Sequence, residues 1–147
     1  MKKINLVMAS LACVLMLSGC ATTVTLEAAE QANDPACAEV IVRLPDLIDT
    51  LPKRVTNAQS TAAWGEPTAL ILRCGLPEVA ASSLTCVTAG EIDWLVDESQ
   101  SPNFRFITFG RNPATEVIVD STAISGVSAL ESLAPAVENI PSTKNCK

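Results

Sequence analysis

The fold of this chain is indicated most clearly by residues 104–119, which have the sequence FRFITFGRNPATEVIV. Two segments rich in aromatic and β-branched residues, 104–109 and 115–119, flank the tetrapeptide Gly110-Arg111-Asn112-Pro113. Glycine, asparagine and proline favour tight turns, whereas the flanking residue types favour strands. The stretch therefore predicts a β-hairpin.

Earlier parts of the chain carry the same kind of signal. Residues 68–74 alternate, so that their leucines and cysteine share one face and Arg73 lies on the other. Residues 85–88 and 91–96 flank Ala89-Gly90 and predict another hairpin. The middle of the chain is therefore expected to form about four antiparallel strands.

Helical patterns lie on both sides of these strands. Asp34-Pro35 is a favourable start for a helix, and apolar residues recur at helical spacing over 40–51, with an interruption at Pro45. Residues 127–137 have a second helical face. This order predicts an α+β fold: a single two-layer domain over residues 35–147, with a sheet of about four strands, an N-terminal and a C-terminal helix, and two disulfides.

The first twenty residues have the pattern of an export signal. Two lysines precede an apolar run over 4–17, which is short for a membrane span, and Leu17-Ser18-Gly19-Cys20 resembles the bacterial lipobox. We therefore expect residues 1–19 to be a lipoprotein signal peptide and Cys20 to be lipidated. Residues 20–34 are expected to form a flexible tether. The alternative is an uncleaved anchor helix in which Cys20 is incidental.

The charge of the expected mature chain restricts its partners. Loss of residues 1–19 removes two of the ten basic residues and none of the sixteen acidic ones, which leaves a formal charge of −8. Such a chain repels phosphate backbones and anionic headgroups, so nucleic acid is not an expected partner. Attachment to the cell membrane, on its extracytoplasmic face, is then expected through acyl chains on Cys20.

Four cysteines remain for the domain: Cys37, Cys74, Cys86 and Cys146. An even number in an exported chain favours two disulfides. We predict that Cys74 pairs with Cys86, which closes a short loop, and that Cys37 pairs with Cys146. The alternative is a zinc site of four thiolates, which has little support because the chain has no histidine and no Cys-x-x-Cys pair. No metal or other cofactor is expected.

The same lack of histidine restricts catalysis, because it excludes the Ser-His-Asp and Cys-His arrangements. Carboxylates such as Glu66, Asp93 and Glu116 are the remaining candidates for acid–base chemistry. No catalytic residue is predicted.

Three other side chains are candidates for binding. Arg73 could grip an anionic group, although an ion pair with Asp93 or Glu116 is the favoured hypothesis. Arg111 is expected at an exposed hairpin tip, either solvated or holding an anion. Trp64 is expected to cover the first helix as part of the core, and its alternative role is an exposed anchor for a partner.

Several of these segments resemble an uncharacterised family of actinobacterial lipoproteins, known as a domain of unknown function (3515). The resemblance implies an exported, membrane-anchored protein of a Gram-positive bacterium and supplies no catalytic residues. It covers most of residues 35–120 and is carried by Cys37, Leu44-Pro45, Trp64-Gly65-Glu66-Pro67, Leu72-Arg73-Cys74-Gly75, Trp94 and Gly110-Arg111-Asn112-Pro113.

The expected function is that of a non-enzymatic cell-envelope lipoprotein. Its domain would be a binding or accessory module for an envelope protein or a cell-wall partner. Two other hypotheses stay open: a histidine-free envelope hydrolase that uses carboxylates, and a carrier of a small ligand with Arg73 in its pocket.

Overall fold

A computed structural model of the protein describes residues 22–79 and 81–146. The expected signal peptide and the expected lipidation site, Cys20, lie outside these residues. The described chain forms two helices and eight strands: α1 Pro35–Val42, β1 Leu47–Ile48, β2 Leu51–Arg54, β3 Thr61–Trp64, β4 Leu70–Leu76, β5 Thr85–Ala89, β6 Ile92–Asp97, β7 Asn103–Thr108, β8 Ala114–Asp120 and α2 Gly126–Val137.

All eight strands belong to one antiparallel sheet, in the order β1-β2-β3-β4-β8-β7-β6-β5. The two predicted hairpins are present as β5–β6 and β7–β8, and the predicted strand 68–74 is β4. The predicted α+β domain with about four strands is nevertheless wrong. The described chain is mostly sheet, with twice the expected number of strands and two helices, and it contains two disulfides, the expected number.

The missed strands are β1, β2 and β3, which lie where a continuing helix and a loop were expected. β2 consists of Leu51-Pro52-Lys53-Arg54, a composition that does not favour strands by itself. It is held by its neighbours, because Leu47 pairs with Pro52 on one side and Lys53 pairs with Trp64 on the other. Tertiary pairing therefore overrides the local preference.

Both helices pack on one face of the sheet, and this face forms the core. The Asp34 side chain accepts a hydrogen bond from the amide of Ala36, as expected for the start of α1. Beneath the helices lie the inward-facing residues of β3, β4, β6, β7 and β8. The largest fully buried side chains are Trp64, Trp94, Ile48, Leu70, Leu72, Ile92, Leu130, Leu133 and Ile140.

No described helix is long and apolar enough to cross a bilayer.

The opposite face of the sheet has no helix and is called here the open face. Residues 22–33 cross part of it, and we name this segment the N-strap. It is held by hydrogen bonds from Gln31 N to Gly75 O at 2.8 Å and from Ser60 Oγ to Ala32 O at 2.5 Å. The expected free tether over 20–34 therefore differs from the structure, in which the chain from Thr22 onward lies against the domain.

Gly75 is what allows the N-strap to lie so close to the sheet. Its φ is +112°, a conformation that side chains strongly disfavour. A Cβ at this position would also lie 2.5 Å from the amide nitrogen of Ala32. A glycine is thus required both by the backbone of β4 and by the strap that crosses it.

Residues 141–146, which we name the C-strap, lie near the β5–β6 edge of the sheet. Thr143 N donates to Gly110 O at 2.7 Å, and Cys146 N donates to a carboxylate oxygen of Asp93 at 2.7 Å. A disulfide joins Cys146 to Cys86 on the edge strand β5. The C-terminal segment is therefore fixed at the edge opposite the N-strap.

The predicted disulfide pairing is wrong, since Cys37 pairs with Cys74 and Cys86 with Cys146. Three strands separate β4 from β5 in the sheet, so Cys74 and Cys86 lie about 19 Å apart at the usual strand spacing. A disulfide needs Cα atoms within about 7 Å. Cys74 instead faces the core beneath α1, where Cys37 meets it at a Cα–Cα distance of 5.5 Å.

Candidate functional site

The centre of the open face carries a groove of about 420 Å³ between the sheet and the N-strap. One wall is the strap, and the floor is formed by β4 and β8, which are neighbours in the middle of the sheet. The groove combines an apolar floor with charged groups. It is lined by Thr25, Leu26, Glu27, Ile71, Arg73, Glu116 and Ile118.

Strand alternation places a charged cluster on the open face, and two of its three members, Arg73 and Glu116, line this groove. Arg73 on β4 is directly opposite Glu116 on β8, and Arg105 on β7 is opposite Ile118, two residues further along β8. All three side chains therefore point to the open face. Their neighbours in sequence, including Leu72, point into the core.

Glu116 is held between the two arginines. Arg73 donates from Nε to one carboxylate oxygen at 2.8 Å, and its Nη2 lies 2.7 Å from the same oxygen in the ion pair. Arg105 donates from Nε to the other oxygen. The Glu116 side chain is 4% exposed, whereas those of Arg73 and Arg105 are 31% and 36% exposed. The carboxylate is thus buried beneath two guanidinium groups that reach solvent.

The cluster carries one net positive charge in a chain that is otherwise strongly acidic. Across residues 22–79 and 81–146, Nη1 of Arg73 and both Nη atoms of Arg105 have no acceptor. Asp97 lies opposite Arg105 on β6. Hydrogen bonds from Ser99 lower the pKa of the Asp97 carboxyl, and the charge of Arg105 contributes less to this shift.

This arrangement suits binding better than acid–base catalysis. Both oxygens of Glu116 already accept hydrogen bonds from arginine, so neither is directed at a reacting group. The outward nitrogens of the two guanidinium groups can instead meet a carboxylate or phosphate, whose planar or tripodal oxygens match their geometry. The isoleucines of the floor would contact an apolar part of the same ligand.

The other two candidate carboxylates lie elsewhere and are also engaged. Asp93 accepts hydrogen bonds from the Thr88 hydroxyl and from the amide of Cys146. Glu66 is exposed and lies 3.6 Å from Arg54. In the part of the chain that the structure describes, no three histidine, cysteine or acidic side chains are grouped closely enough to hold a metal ion.

A second groove, of about 550 Å³, lies beside the C-strap. Leu84, Leu95 and Phe109 make it more apolar than the first. Its cation, Lys144, lies 3.4 Å from Glu78. Among its described lining residues there is no cluster of charged groups with outward-facing donors, so the central groove is the better candidate for selective recognition.

Two of the predicted site residues are found where the favoured hypotheses placed them. Arg73 makes the expected ion pair with Glu116 and also lines the groove. Trp64 is fully buried, and its indole nitrogen donates to the carbonyl of Pro45 at 3.0 Å, just after α1. Trp64 is thus part of the core on the helical face and is not an anchor for a partner.

The prediction for Arg111 is wrong. Its side chain is only 7% exposed and donates to the carbonyl of Ile140, beyond the end of α2. Its backbone forms a bridge with Ser142 of the C-strap. Burial lowers the pKa of the Arg111 guanidinium, and the charges of Asp93 and Glu138 oppose this shift. The C-terminal segment folds over the hairpin tip, a contact that the local turn pattern could not indicate.

Arg111→Ala is therefore expected to reduce the free energy of unfolding by about 2–3 kcal/mol, because Ile140 loses a charged donor. Arg43→Ala is the matched control. Arg43 is exposed, and its ion pair is with Glu39, one turn earlier in the same helix. Its replacement should therefore cost about 0.5 kcal/mol or less. Urea unfolding measures both, and equal stability of the two variants would contradict the assigned role of Arg111.

Arg105 is not among the predicted site residues, although its neighbours in sequence carry a signal for it. Arg105 lies between Phe104 and Phe106 in a predicted strand, as Arg73 lies between apolar residues in another. A charged residue between apolar neighbours in a strand points to the opposite face. Two such arginines on separate strands could have been proposed to share one face.

Together these features define a single-domain, disulfide-bonded sheet protein with a charged groove on its open face. The chain belongs to the family described as Protein of unknown function (DUF3515), because the family model matches residues 4–145. No curated protein and no solved structure matches the chain.

Proposed function

We propose that the protein is a cell-envelope lipoprotein, anchored through Cys20, whose domain is a non-enzymatic binding module. Its binding site is the central groove, which recognises an anionic group on an envelope or cell-wall partner. The observation that carries this proposal is the cluster of Arg73, Glu116 and Arg105, in which a buried carboxylate orients two guanidinium groups toward solvent.

The construction of the groove supports binding over hydrolysis. Glu116, Asp93 and Glu66 each interact with a different set of partners and do not form one acid–base pair. Glycoside hydrolysis, for example, needs two carboxyl groups on either side of the scissile bond. Anion binding does not require two carboxyl groups. Two guanidinium groups that are already held in place lose little side-chain freedom when they bind an anion.

The lipid anchor is supported by the order of basic head, apolar run and lipobox in residues 2–20. Acyl chains on Cys20 would keep the domain at the membrane despite its acidic surface. A partner would then be encountered at high local concentration, which lets a modest groove serve as an effective binding site.

Site-specific photocrosslinking in growing cells tests the binding groove. A photoreactive residue at position 118 replaces Ile118 in the floor of the groove, and one at position 131 replaces Glu131 on the exposed side of α2. We expect a discrete adduct from position 118 that is absent or several-fold weaker from position 131.

Both variants should first show the thermal stability of the unmodified protein, so that a change in yield reports on contact and not on unfolding. Equal yields from the two positions, or no adduct from position 118, would contradict the assignment of the groove as the binding site.

A further inference from the structure

The N-terminal end of the described chain is fixed to the β1–β2 edge of the sheet. The Arg54 guanidinium donates from Nη2 to the carbonyl oxygen and to the hydroxyl oxygen of Thr22, at 2.7 and 2.8 Å. Two residues later, Val24 N donates to Val55 O at 2.8 Å and Val24 O accepts from Asn57 N at 3.3 Å. The N-strap is thus paired with the end of β2 from its first described residue.

Cys20 precedes Thr22 by only two residues. Two residues of extended chain span at most about 7 Å, so the Cα of Cys20 stays within that distance of the Cα of Thr22 in any conformation. A lipid on Cys20 would therefore enter the bilayer directly beside the β1–β2 edge. There is no length of free chain that could hold this edge away from the membrane.

The same edge exposes apolar side chains. Val42 at the end of α1, Leu47 in β1 and Val55 after β2 are 75%, 59% and 61% exposed. They are three of the five large apolar side chains that are exposed among the described residues, and Val87 and Val127 are the others. Single exposed apolar residues are ordinary, but here Leu47 and Val55 lie in or directly after the strands of the edge where the anchor would emerge. Val42 lies beside the loop that follows β2, since it lines a surface groove together with Thr56 and Asn57.

The charges at this edge do not oppose contact with a bilayer. Lys53 and Arg54 are accompanied by Asp46 and Asp49, which leaves the segment 46–54 without net charge. The rest of the mature chain carries the acidic excess. Anionic headgroups therefore meet no net negative charge on this segment of the β1–β2 edge.

We propose that this anchor edge, formed by Val42, Leu47 and Val55, rests on the bilayer that holds the acyl chains of Cys20. The inference depends on the proposed lipid anchor and adds the orientation of the domain. The sheet would stand on its edge, with β5 about 34 Å further from the surface, given seven strand spacings. The central groove, on β4 and β8, would open sideways toward partners close to the membrane.

Photocrosslinking to lipid tests this orientation. The protein is purified from its own membranes, the mass of the N-terminal peptide is measured to establish lipid on Cys20, and the protein is reconstituted in phosphatidylcholine–phosphatidylglycerol vesicles. A diazirine-bearing residue is placed at position 47 or 55. The matched control is position 127 on α2, where Val127 is 59% exposed, like Leu47.

We expect phospholipid adducts at positions 47 and 55 that exceed those at position 127 several-fold. If Cys20 carries lipid but all three positions give equal adduct yields, the proposed orientation is contradicted and the proposed lipid anchor is not. Absence of lipid on Cys20 would overturn the orientation together with the anchor on which it depends.

Discussion

Replacement of both Arg73 and Arg105 with methionine is expected to reduce the free energy of unfolding by about 3–5 kcal/mol, the usual cost of leaving a buried charge without its partner. The Glu116 side chain is 4% exposed, and these two arginines are its only described charged partners. Methionine keeps much of the apolar stem of arginine but provides no donor. Urea unfolding at neutral pH measures the effect.

The matched control adds Glu116→Leu to the double variant. Without the carboxylate, the same positions form an apolar patch on the sheet, and most of the lost stability should return. A double variant as stable as the unmodified protein would show that Glu116 does not depend on the arginines. Failure of the triple variant to recover would show that the arginines stabilise the fold mainly by packing.

Removal of the Cys37–Cys74 disulfide is expected to have a similarly large effect. The bond closes a loop of 37 residues, and the chain-entropy model assigns about 4 kcal/mol to a loop of that length. Both cysteines are fully buried between α1 and β4, so Cys37→Ala with Cys74→Ala also leaves a small cavity. Thermal and urea unfolding of the double variant measure the loss.

Peptide mapping of the non-reduced protein provides the control for this prediction. Linked peptides should contain Cys37 with Cys74 and Cys86 with Cys146. A peptide that links Cys74 to Cys86 would contradict the strand order, because these residues lie on strands that are four positions apart.

The central strands could be predicted from the sequence because their signals are local. The hairpins β5–β6 and β7–β8 each consist of two strand-like segments around a short turn, and such neighbours pair directly. The start of α1 could be predicted for the same reason, since Asp34 caps a helix whose first residue is a proline. These elements need no information from distant parts of the chain.

The edge strands and the straps could not be predicted in this way. β1 has two residues and depends on its pairing with β2 and on the core contact of Ile48. β2 contains Pro52 and depends on its pairing with β3. The N-strap has no apolar periodicity and is held by backbone hydrogen bonds across many residues. Such long-range pairings have no local sequence signature.

The candidate site was predictable in part. The alternation of residues 68–74 places Arg73 on the face opposite the core. Of the two partners predicted for its ion pair, Asp93 and Glu116, the structure shows Glu116. To place Arg105 beside Arg73 required the strand order, which brings β4 beside β8. Arg111 was misassigned because a proline-containing turn usually lies exposed, whereas here the C-terminal segment covers it.

The measurement that tests the central claim most directly is the yield of the position-118 photoadduct in cells that carry Arg73→Gln. Glutamine removes the charge but leaves Glu116 hydrogen-bonded to Arg105. Arg43→Gln is the matched control, because Arg43 is an exposed arginine at the end of α1, away from the groove. A several-fold loss of adduct with Arg73→Gln and none with Arg43→Gln is the predicted result. Equal yields in the two variants would contradict recognition through the charged groove.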